Sequence, residues 1–292
     1  MTQWTIGVIG GSGLYEIDGL EDRREERVET PWGAPSDALV HGRIGDVRFV
    51  FLPRHGRGHR LMPTEVPYRA NIAALKAAGV TDVLAISACG SLQEQYVPGD
   101  FVAVDQFIDR TFARAKTYFG DGMVAHVSMA RPVCSRLSGL AADAAAAAGA
   151  RVHRGGTYVT MEGPQFSTLA ESHLYRQWGS DVIGMTAMPE AKLAREAELP
   201  YAVLAMVTDY DCWREDEEAV TVTNVLEIMA KNSALGRAAI VKLAGQLNGT
   251  PRTPSPDGID TCLDHALITS PAARNPVALR KLEVIAGRAL NG

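Results

Sequence analysis

An unbroken apolar segment that ends in two aspartates constrains this chain more than any other stretch. Residues 202–207 read AVLAMV, the pattern of a strand that is buried on both faces of a largely parallel sheet. Asp209 and Asp211 follow directly, at the carboxyl end of that strand, where open α/β sheets bind their ligands. In extended backbone these two side chains point to one face, roughly 6–7 Å apart. The segment therefore predicts an α/β fold with a carboxyl pair at one edge of the sheet.

The two carboxyls allow two interpretations. Held close together beside an apolar strand, Asp209 and Asp211 should titrate as a coupled pair that retains one proton more tightly. Such a pair can donate and accept at once, which matches the N7 acceptor and the N6 donor on one edge of adenine. Alternatively, the two residues only end a strand and cap the next helix, as aspartates commonly do.

Composition excludes several classes of protein. The 292 residues are 46% hydrophobic and 22% charged, with a net charge of −5 and no basic block, which argues against a nucleic-acid partner. No apolar stretch reaches membrane-spanning length and the first residues lack a secretion signal, so we expect no membrane partner. The four cysteines lack metal-binding spacing and predict reduced thiols in a cytoplasmic protein without a metal site: Cys89, Cys134, Cys212 and Cys262.

Strand and helix patterns alternate over residues 1–247, which predicts one α/β domain with a central mixed, largely parallel sheet flanked by helices. The predicted strands are 4–9, 38–44, 47–52, 82–87, 101–107, 157–161, 182–185 and 202–207. The predicted helices are 67–78, 137–148, 168–178, 220–247 and one that starts at Pro189. Residues 248–258 hold three prolines and two glycines and form a connector. Residues 259–292 form a C-terminal helical extension, with Asn275 as the cap of its helix.

Three places at predicted strand ends could bind an anion. Gly10-Gly11-Ser12-Gly13 follows the first strand, although a plain turn fits it equally, and it lacks the last glycine of the dinucleotide-binding GxGxxG motif. Residues 53–60 contain three arginines and two histidines, which suits oxyanion contacts but also a solvated basic loop. Thr186 places a hydroxyl beside the start of a helix.

Seven short motifs are together specific in their residue sequences and in their order along the chain. They are Gly7–Gly13, Arg54-His55-Gly56, Ser87–Ser91, Glu162-Gly163-Pro164, Met185-Thr186, Pro189-Glu190 and Thr208–Trp213. From about Ile6 to Leu247 the chain thereby resembles the 5′-methylthioadenosine phosphorylases of the trimeric purine nucleoside phosphorylase family. The resemblance implies that family's fold, a homotrimer, and phosphorolysis of 5′-methylthioadenosine to adenine and 5-methylthioribose 1-phosphate. It implies inorganic phosphate as co-substrate and no cofactor.

The resemblance also assigns residues to the site. The implied phosphate-binding residues are Ser12, Arg54, His55, Ser87, the backbone of Ala88, and Thr186. The implied nucleoside-binding residues are Phe166, Ser167, Met185, Thr208, Val222, Val225 and His126 of the partner subunit. Asp209 and Asp211 would face the N7 and N6 edge of the purine.

A chemical argument agrees with these assignments. Adenine leaves with difficulty as an anion, so Asp209 as the acid at N7 should act mainly in the transition state, while Asp211 accepts from N6. Bound phosphate would stabilise the oxocarbenium-like sugar before it attacks C1′. A 6-oxopurine would favour an amide over an ionised aspartate, so the pair favours 6-aminopurines.

Two features keep other activities open. Gly184 stands where eukaryotic members of the resembled family have asparagine, so a broader purine nucleoside phosphorylase acting on adenosine, inosine or 5′-methylthioinosine is the alternative. A hydrolase would leave Arg54 and His55 without a phosphate to bind. A dinucleotide-binding module conflicts with the incomplete glycine motif.

Overall fold

Eleven strands form one mixed sheet within the part of the chain that the computed structural model describes, residues 3–11, 13–14, 16–214 and 222–291, without the side chains of 222–226. The strands are β1 (Thr5–Gly10), β2 (Glu21–Glu26), β3 (Leu39–Ile44), β4 (Val47–Pro53), β5 (Asp82–Ser91), β6 (Phe101–Ala103), β7 (Gln106–Asp109), β8 (Val152–Arg154), β9 (Thr157–Thr160), β10 (Val182–Gly184) and β11 (Tyr201–Asp209). The helices are α1 (Tyr68–Ala77), α2 (Ser135–Ala147), α3 (Leu169–Gln177), α4 (Ala187–Glu196), α5 (Val222–Leu247) and α6 (Pro276–Asn291).

The centre of the sheet is parallel, as its apolar segments predict. Strand β1 pairs in parallel with both β4 and β5, and β11 pairs in parallel with β5. Alternate residues of β5 enter two separate cores: Val83 and Ala85 pack with α1, α4 and α6, whereas Leu84 and Ile86 pack with α2 and α5. The result is a sheet between two helical layers, and the predicted fold class is confirmed.

Strand β5 changes its partner near its end, and this opens the sheet. Its residues through Ala85 pair with β1, whereas Gly90 and Ser91 pair antiparallel with β10. A Cβ atom at Gly90 would lie 2.9 Å from Asp209 Oδ1 and 3.1 Å from Ile183 Cγ2, so a larger residue would displace side chains of both neighbouring strands. The separation of β1 from β10 leaves space beyond the carboxyl end of β1.

Two predicted strand boundaries were wrong. The strand predicted at 82–87 continues to Ser91, because its last small residues pair with β10. The strand predicted at 101–107 is two strands: β6 pairs with β11 and β8, and β7 pairs with β9. Between them, the amides of Asp105 and Gln106 both donate to the carbonyl of Gly156. An apolar run cannot reveal that its two halves pair with different strands.

The C-terminal residues pack on the sheet and its helices. Arg252 binds the buried carboxylate of Asp82 at 2.6 Å and that of Asp260 at 2.5 Å. Leu282 and Ile285 of α6 belong to the core that α1 and α4 share. As predicted, Asn275 caps α6, with its Oδ1 accepting from the amide of Val277 at 2.8 Å. The division at 247 and 258 stays a prediction. None of the helices in the described ranges has both the length and the apolar character to cross a bilayer.

Candidate active site

Four strand ends bring most of the predicted site residues to one edge of the sheet. Gly10 of β1 lies opposite Pro53 of β4, so Arg54 follows directly beside the Gly-rich turn. Asp209 of β11 lies opposite Gly90 of β5, a few residues beyond Ser87. The ends of β1, β4, β5 and β11 thus lie at the same edge of the sheet. Ser12, which the resemblance assigns to the phosphate, lies outside the described residues.

Arg54 is buried in a bidentate ion pair with Glu190 of α4. Its Nε and Nη2 atoms each donate to one Glu190 oxygen at 2.9 Å, and the two side chains are 3% and 0% exposed. The carbonyls of Ile9 and Ile86 accept two further bonds, at 3.4 Å. Burial alone would lower the pKa of Arg54, but the Glu190 carboxylate reverses this and raises it. Within the described residues, four of the five guanidinium N–H groups are therefore used, and one on Nη1 remains for a ligand.

His55 is a neutral histidine with one occupied nitrogen. Its Nδ1 lies 2.9 Å from the carbonyl of Leu61, and its ring stacks on His59 with centroids 4.3 Å apart. A carbonyl only accepts, so Nδ1 carries the proton and Nε2 is the bare nitrogen. Burial is the main cause that lowers the pKa of His55 to about 4, and the charges of Arg54, His59 and Arg114 act in the same direction.

Two hydroxyls meet between β5 and the start of α4. Ser87 Oγ lies 3.3 Å from Thr186 Oγ1, and Ala88 follows with a half-buried backbone. Thr186 immediately precedes α4, and its side chain does not cap that helix. The hydroxyl contacts Ser87 but does not cap the helix, and it lies at the N-terminal end of α4, where the backbone dipole favours an anion.

The carboxyl pair forms through a turn, so the predicted extended geometry was wrong. Asp211 has φ of +55°, and Asp209 Oδ1 accepts the Asp211 amide at 2.8 Å. Asp209 Oδ2 accepts from the Thr208 hydroxyl at 2.7 Å. Aspartate tolerates this left-handed conformation, and its short side chain can accept a hydrogen bond from the backbone two residues further on. The alternation of side chains along a strand does not predict such a turn.

Burial raises the pKa of both carboxyls. For Asp209 burial is opposed by bonds from Thr208 and the Asp211 amide. For Asp211 burial is opposed by nearby serine hydroxyls, and the charge of Asp209 raises its pKa further. Within the described ranges neither carboxyl has an ion-pair partner, and Asp211 Oδ2 is buried without a hydrogen bond. This end of the site therefore favours a retained proton.

Only some of the other residues predicted to bind the nucleoside have described contacts near this part of the site. Ser167 lies near Asp211, because its carbonyl lies 3.4 Å from the thiol of the adjacent Cys212. Met185 lies against Gly163, whose added Cβ would be 2.6 Å from the Met185 sulfur. Phe166 is 82% exposed. Val222 and Val225 begin α5, but their side chains lie outside the described part.

His126 lies in a different part of the chain from the carboxyl pair. Its side chain is exposed, and its amide donates at 2.9 Å to the carbonyl of Ala266 in the C-terminal region. Its assignment to a site on the partner subunit stays a prediction.

Sequence reasoning missed Arg114. Its guanidinium binds the Glu162 side chain at 3.1 Å, and it also donates to the carbonyls of Glu162, Met185 and Met188 at 2.5–2.8 Å. It thereby joins the Glu162-Gly163-Pro164 and Met185-Thr186 segments. A single arginine in a loop carries no motif, and only the Glu162-Gly163-Pro164 and Met185-Thr186 motifs that it contacts indicate this region.

Gly184 also has a structural reason that the sequence did not reveal. A Cβ atom there would lie 1.8 Å from the hydroxyl of Tyr158, a fully buried side chain. That hydroxyl has no hydrogen-bond partner within the described residues. The tyrosine fills the space that a larger residue at 184 would need.

Comparison with known proteins identifies the relatives of this arrangement. A family model described as "Phosphorylase superfamily" matches residues 5–243. An S-methyl-5′-thioadenosine phosphorylase from Cereibacter sphaeroides is 61% identical, with 98% of this chain and 99% of the relative covered. A protein of the same name from Bradyrhizobium diazoefficiens is 55% identical over the full length of both chains.

Solved structures show the same fold. The crystal structure of a methylthioadenosine phosphorylase from an antarctic soil metagenomic library has a TM-score of 0.91 and 47% identity, covering 98% of this chain and 99% of its own. A variant adenosine/methylthioadenosine phosphorylase from Schistosoma mansoni in complex with methylthioadenosine has a TM-score of 0.79 and 41% identity, covering 85% and 93%.

Proposed function

This chain belongs to the phosphorylase superfamily, and we propose that it cleaves 5′-methylthioadenosine with inorganic phosphate, giving adenine and 5-methylthioribose 1-phosphate. It is a pentosyltransferase of purine and methionine salvage. One observation carries the proposal: two half-buried carboxyls without an ion-pair partner in the described ranges share a sheet edge with the Arg54, Ser87 and Thr186 donors. A purine and an anion can bind there side by side.

Phosphate binds on the β1, β4 and β5 side of this edge. Ser87 and Thr186 donate from their hydroxyls, the Ala88 backbone supplies an amide, and Arg54 supplies its remaining Nη1–H. Ser12 completes this set from the Gly-rich turn. No metal or organic cofactor takes part, because these donors orient the phosphate for attack on C1′.

The purine binds on the β11 side. Asp209, whose pKa is raised by burial, donates its proton to N7 as the glycosidic bond breaks, and Asp211 accepts from the N6 amino group. Asp211 Oδ2 has no hydrogen-bond partner among the described residues, which supports this role, since a ligand donor would satisfy a buried acceptor. Phe166 and Ser167 border the base, Met185 lies under the ribose, and Thr208, Val222 and Val225 line the 5′ pocket.

We further propose that the protein is a homotrimer and that it lies in the cytoplasm. In the trimer, His126 of the partner subunit closes the 5′ pocket. The exposed rings of Phe112 and Phe166, 81% and 82% accessible, support an interface near this edge. The amide of Phe112 binds the Glu162 carboxylate at 2.5 Å, and Glu162 lies four residues before Phe166, so both rings belong to neighbouring loops.

The test is the release of base from four nucleosides, with and without phosphate, measured by chromatography on the purified protein. The substrates pair 5′-methylthio or 5′-hydroxyl groups with adenine or hypoxanthine. We expect phosphate-dependent release that is fastest with 5′-methylthioadenosine. Equal rates with inosine would favour a broader purine nucleoside phosphorylase, and release without phosphate would contradict phosphorolysis.

A further inference from the structure

The phosphate side of the site contains a buried cation but no net positive charge. Arg54 is matched by Glu190, and both Glu190 oxygens accept from it at 2.9 Å. The hydroxyl of Tyr201 donates to the same carboxylate at 2.8 Å, which further stabilises its ionised form. Arg54 therefore offers a phosphate one hydrogen bond without an uncompensated charge.

The other cations around His55 are matched in the same way. Arg114 pairs with Glu162 at 3.1 Å. On the loop that follows His55, Arg57 pairs with Glu25 at 2.9 Å and with Asp37 at 3.8 Å, and Arg60 lies 3.9 Å from Asp37. His59, stacked on His55, is exposed and faces solvent. Each described arginine near His55 thus has its own carboxylate.

A phosphate dianion would enter such a site at a high cost. Burying two negative charges without a compensating cation carries a large desolvation penalty. Among the described side chains next to Arg54, the half-buried group that can change its charge is His55, because Nδ1 is held by the Leu61 carbonyl and Nε2 has no hydrogen bond within the described residues. Nε2 can accept a proton from a phosphate P–OH group, or take a proton from solvent and donate to a phosphate oxygen.

We propose that this site binds phosphate together with one proton, which is shared between the phosphate and Nε2 of His55. The bound state is either the monoanion beside neutral His55 or the dianion beside protonated His55, and these differ only in the position of one proton. This inference rests on the proposed function for the identity of the anion. It adds His55 as the residue that decides which charge state the site accepts.

Sulfate distinguishes a proton that enters with the anion from one that His55 takes from solvent. It has the shape of phosphate but stays a dianion near neutral pH, so it can bind only if His55 takes a proton from solvent. The free protein has neutral His55 near pH 7, since burial lowers its pKa to about 4. Proton uptake must therefore accompany sulfate binding, and affinity must fall as the pH rises, by about tenfold per unit for one linked proton.

The experiment is isothermal titration calorimetry of sodium sulfate and of sodium phosphate into the intact protein, from pH 6 to pH 8. Repeating each titration in buffers with different ionisation enthalpies counts the protons taken up. We expect close to one proton per sulfate. For phosphate we expect an uptake that grows as the free anion becomes the dianion, and an affinity that falls about tenfold per unit at the alkaline end.

Two variants sharpen the test. His55→Gln removes the titrating group, so sulfate binding should be lost or uncoupled from protons, whereas monoanionic phosphate should still bind. His59→Asn is the matched control, because it changes a stacked histidine of the same loop and should leave the proton count unchanged. If sulfate does not bind at all, an alkaline loss of phosphate affinity supports the shared proton only where His55→Gln weakens phosphate binding, and equal affinity in that variant would refute the role of His55.

An affinity for phosphate that is constant from pH 6 to pH 8, without buffer-dependent heat, would overturn the inference. The proposed function is judged separately by release of adenine from 5′-methylthioadenosine. Phosphate-dependent release without proton uptake would refute only the role of His55. Proton-linked phosphate binding without any release would refute only the proposed reaction.

Discussion

The two halves of the candidate site bury charge in opposite ways. On the phosphate half, Arg54 is buried against Glu190, and the chain itself supplies the opposite charge. On the purine half, Asp209 and Asp211 are largely buried beside each other, and burial raises the pKa of both. One half is neutral because it contains an ion pair. In the other half, burial favours the protonated form of each carboxyl, the form that can donate to a leaving group.

This difference indicates that the phosphate half holds a fixed geometry, whereas the purine half can exchange a proton. A buried ion pair with four satisfied donors holds its geometry but has no proton to exchange. A carboxyl whose pKa is raised by burial keeps its proton to a higher pH than an exposed one, which suits it to donate to a leaving group. Asp211 Oδ2, which has no partner within the described ranges, also indicates that this half is completed by a ligand. The predictions below start from the half in which a substitution should cost the most.

Removing the counter-charge of the phosphate half should have the largest effect. Glu190→Gln leaves the Arg54 guanidinium buried without a carboxylate, and we expect a loss of about 3–5 kcal/mol in the free energy of unfolding. Denaturant titration measures this loss. Arg24→Gln is the control, because Arg24 and its partner Glu26 are 62% and 40% exposed, and their pair should contribute little. A loss no larger than that of the control would contradict a charge-compensated phosphate half.

Neutralising the purine half should affect catalysis instead of folding. Asp209→Asn retains an oxygen that can accept the Asp211 amide, so the turn should persist. Turnover of 5′-methylthioadenosine should fall by about 10²–10⁴-fold, since the acid is lost. Steady-state kinetics and phosphate calorimetry measure the two halves separately.

In the same variant, phosphate binding should stay close to that of the unmodified protein. Asp143→Asn, on an exposed face of α2 where Asp143 pairs with Arg154, controls for the change of charge. Turnover of Asp209→Asn at the level of this control would remove Asp209 from the acid role.

Adding a methyl group at Gly184 should lower the stability of the protein by an intermediate amount. Gly184→Ala places a Cβ atom 1.8 Å from the Tyr158 hydroxyl, and we expect a loss of about 1–3 kcal/mol from overpacking. Adding Tyr158→Phe should recover part of that loss, because it removes the clashing oxygen. Gly139→Ala in α2 is the control, since its Cβ meets nothing within 4 Å and should not destabilise the protein. Equal stabilities in thermal unfolding would refute the packing role of Tyr158.

Removing the exposed ring of the purine half should have the smallest effect on the fold. Phe166→Ala should change the free energy of unfolding by less than about 0.5 kcal/mol, because Phe166 is 82% exposed. Its KM for 5′-methylthioadenosine should rise if the ring borders the base. Phe112→Ala, 81% exposed, provides the comparison for stability. An unchanged KM would place Phe166 outside the nucleoside site.

The sequence predicted the parts of this molecule that repeat a period or end a strand. The apolar runs of β1, β5 and β11 located the sheet and the edge where Arg54, Ser87 and Asp209 meet. The pattern could not show which distant residue neutralises Arg54, because Glu190 is more than one hundred positions away. It also could not show that a turn, and not strand alternation, brings the aspartates together.

The most direct test follows the reaction of 5′-methylthioadenosine and inorganic phosphate by ³¹P nuclear magnetic resonance. The account predicts a new phosphate-ester signal that grows in equal amount with free adenine, as a bond forms between phosphate and C1′. Asp209→Asn should slow both products equally. Adenine that appears without a phosphate ester would mean that water attacks the sugar, and the account of the phosphate half would be wrong.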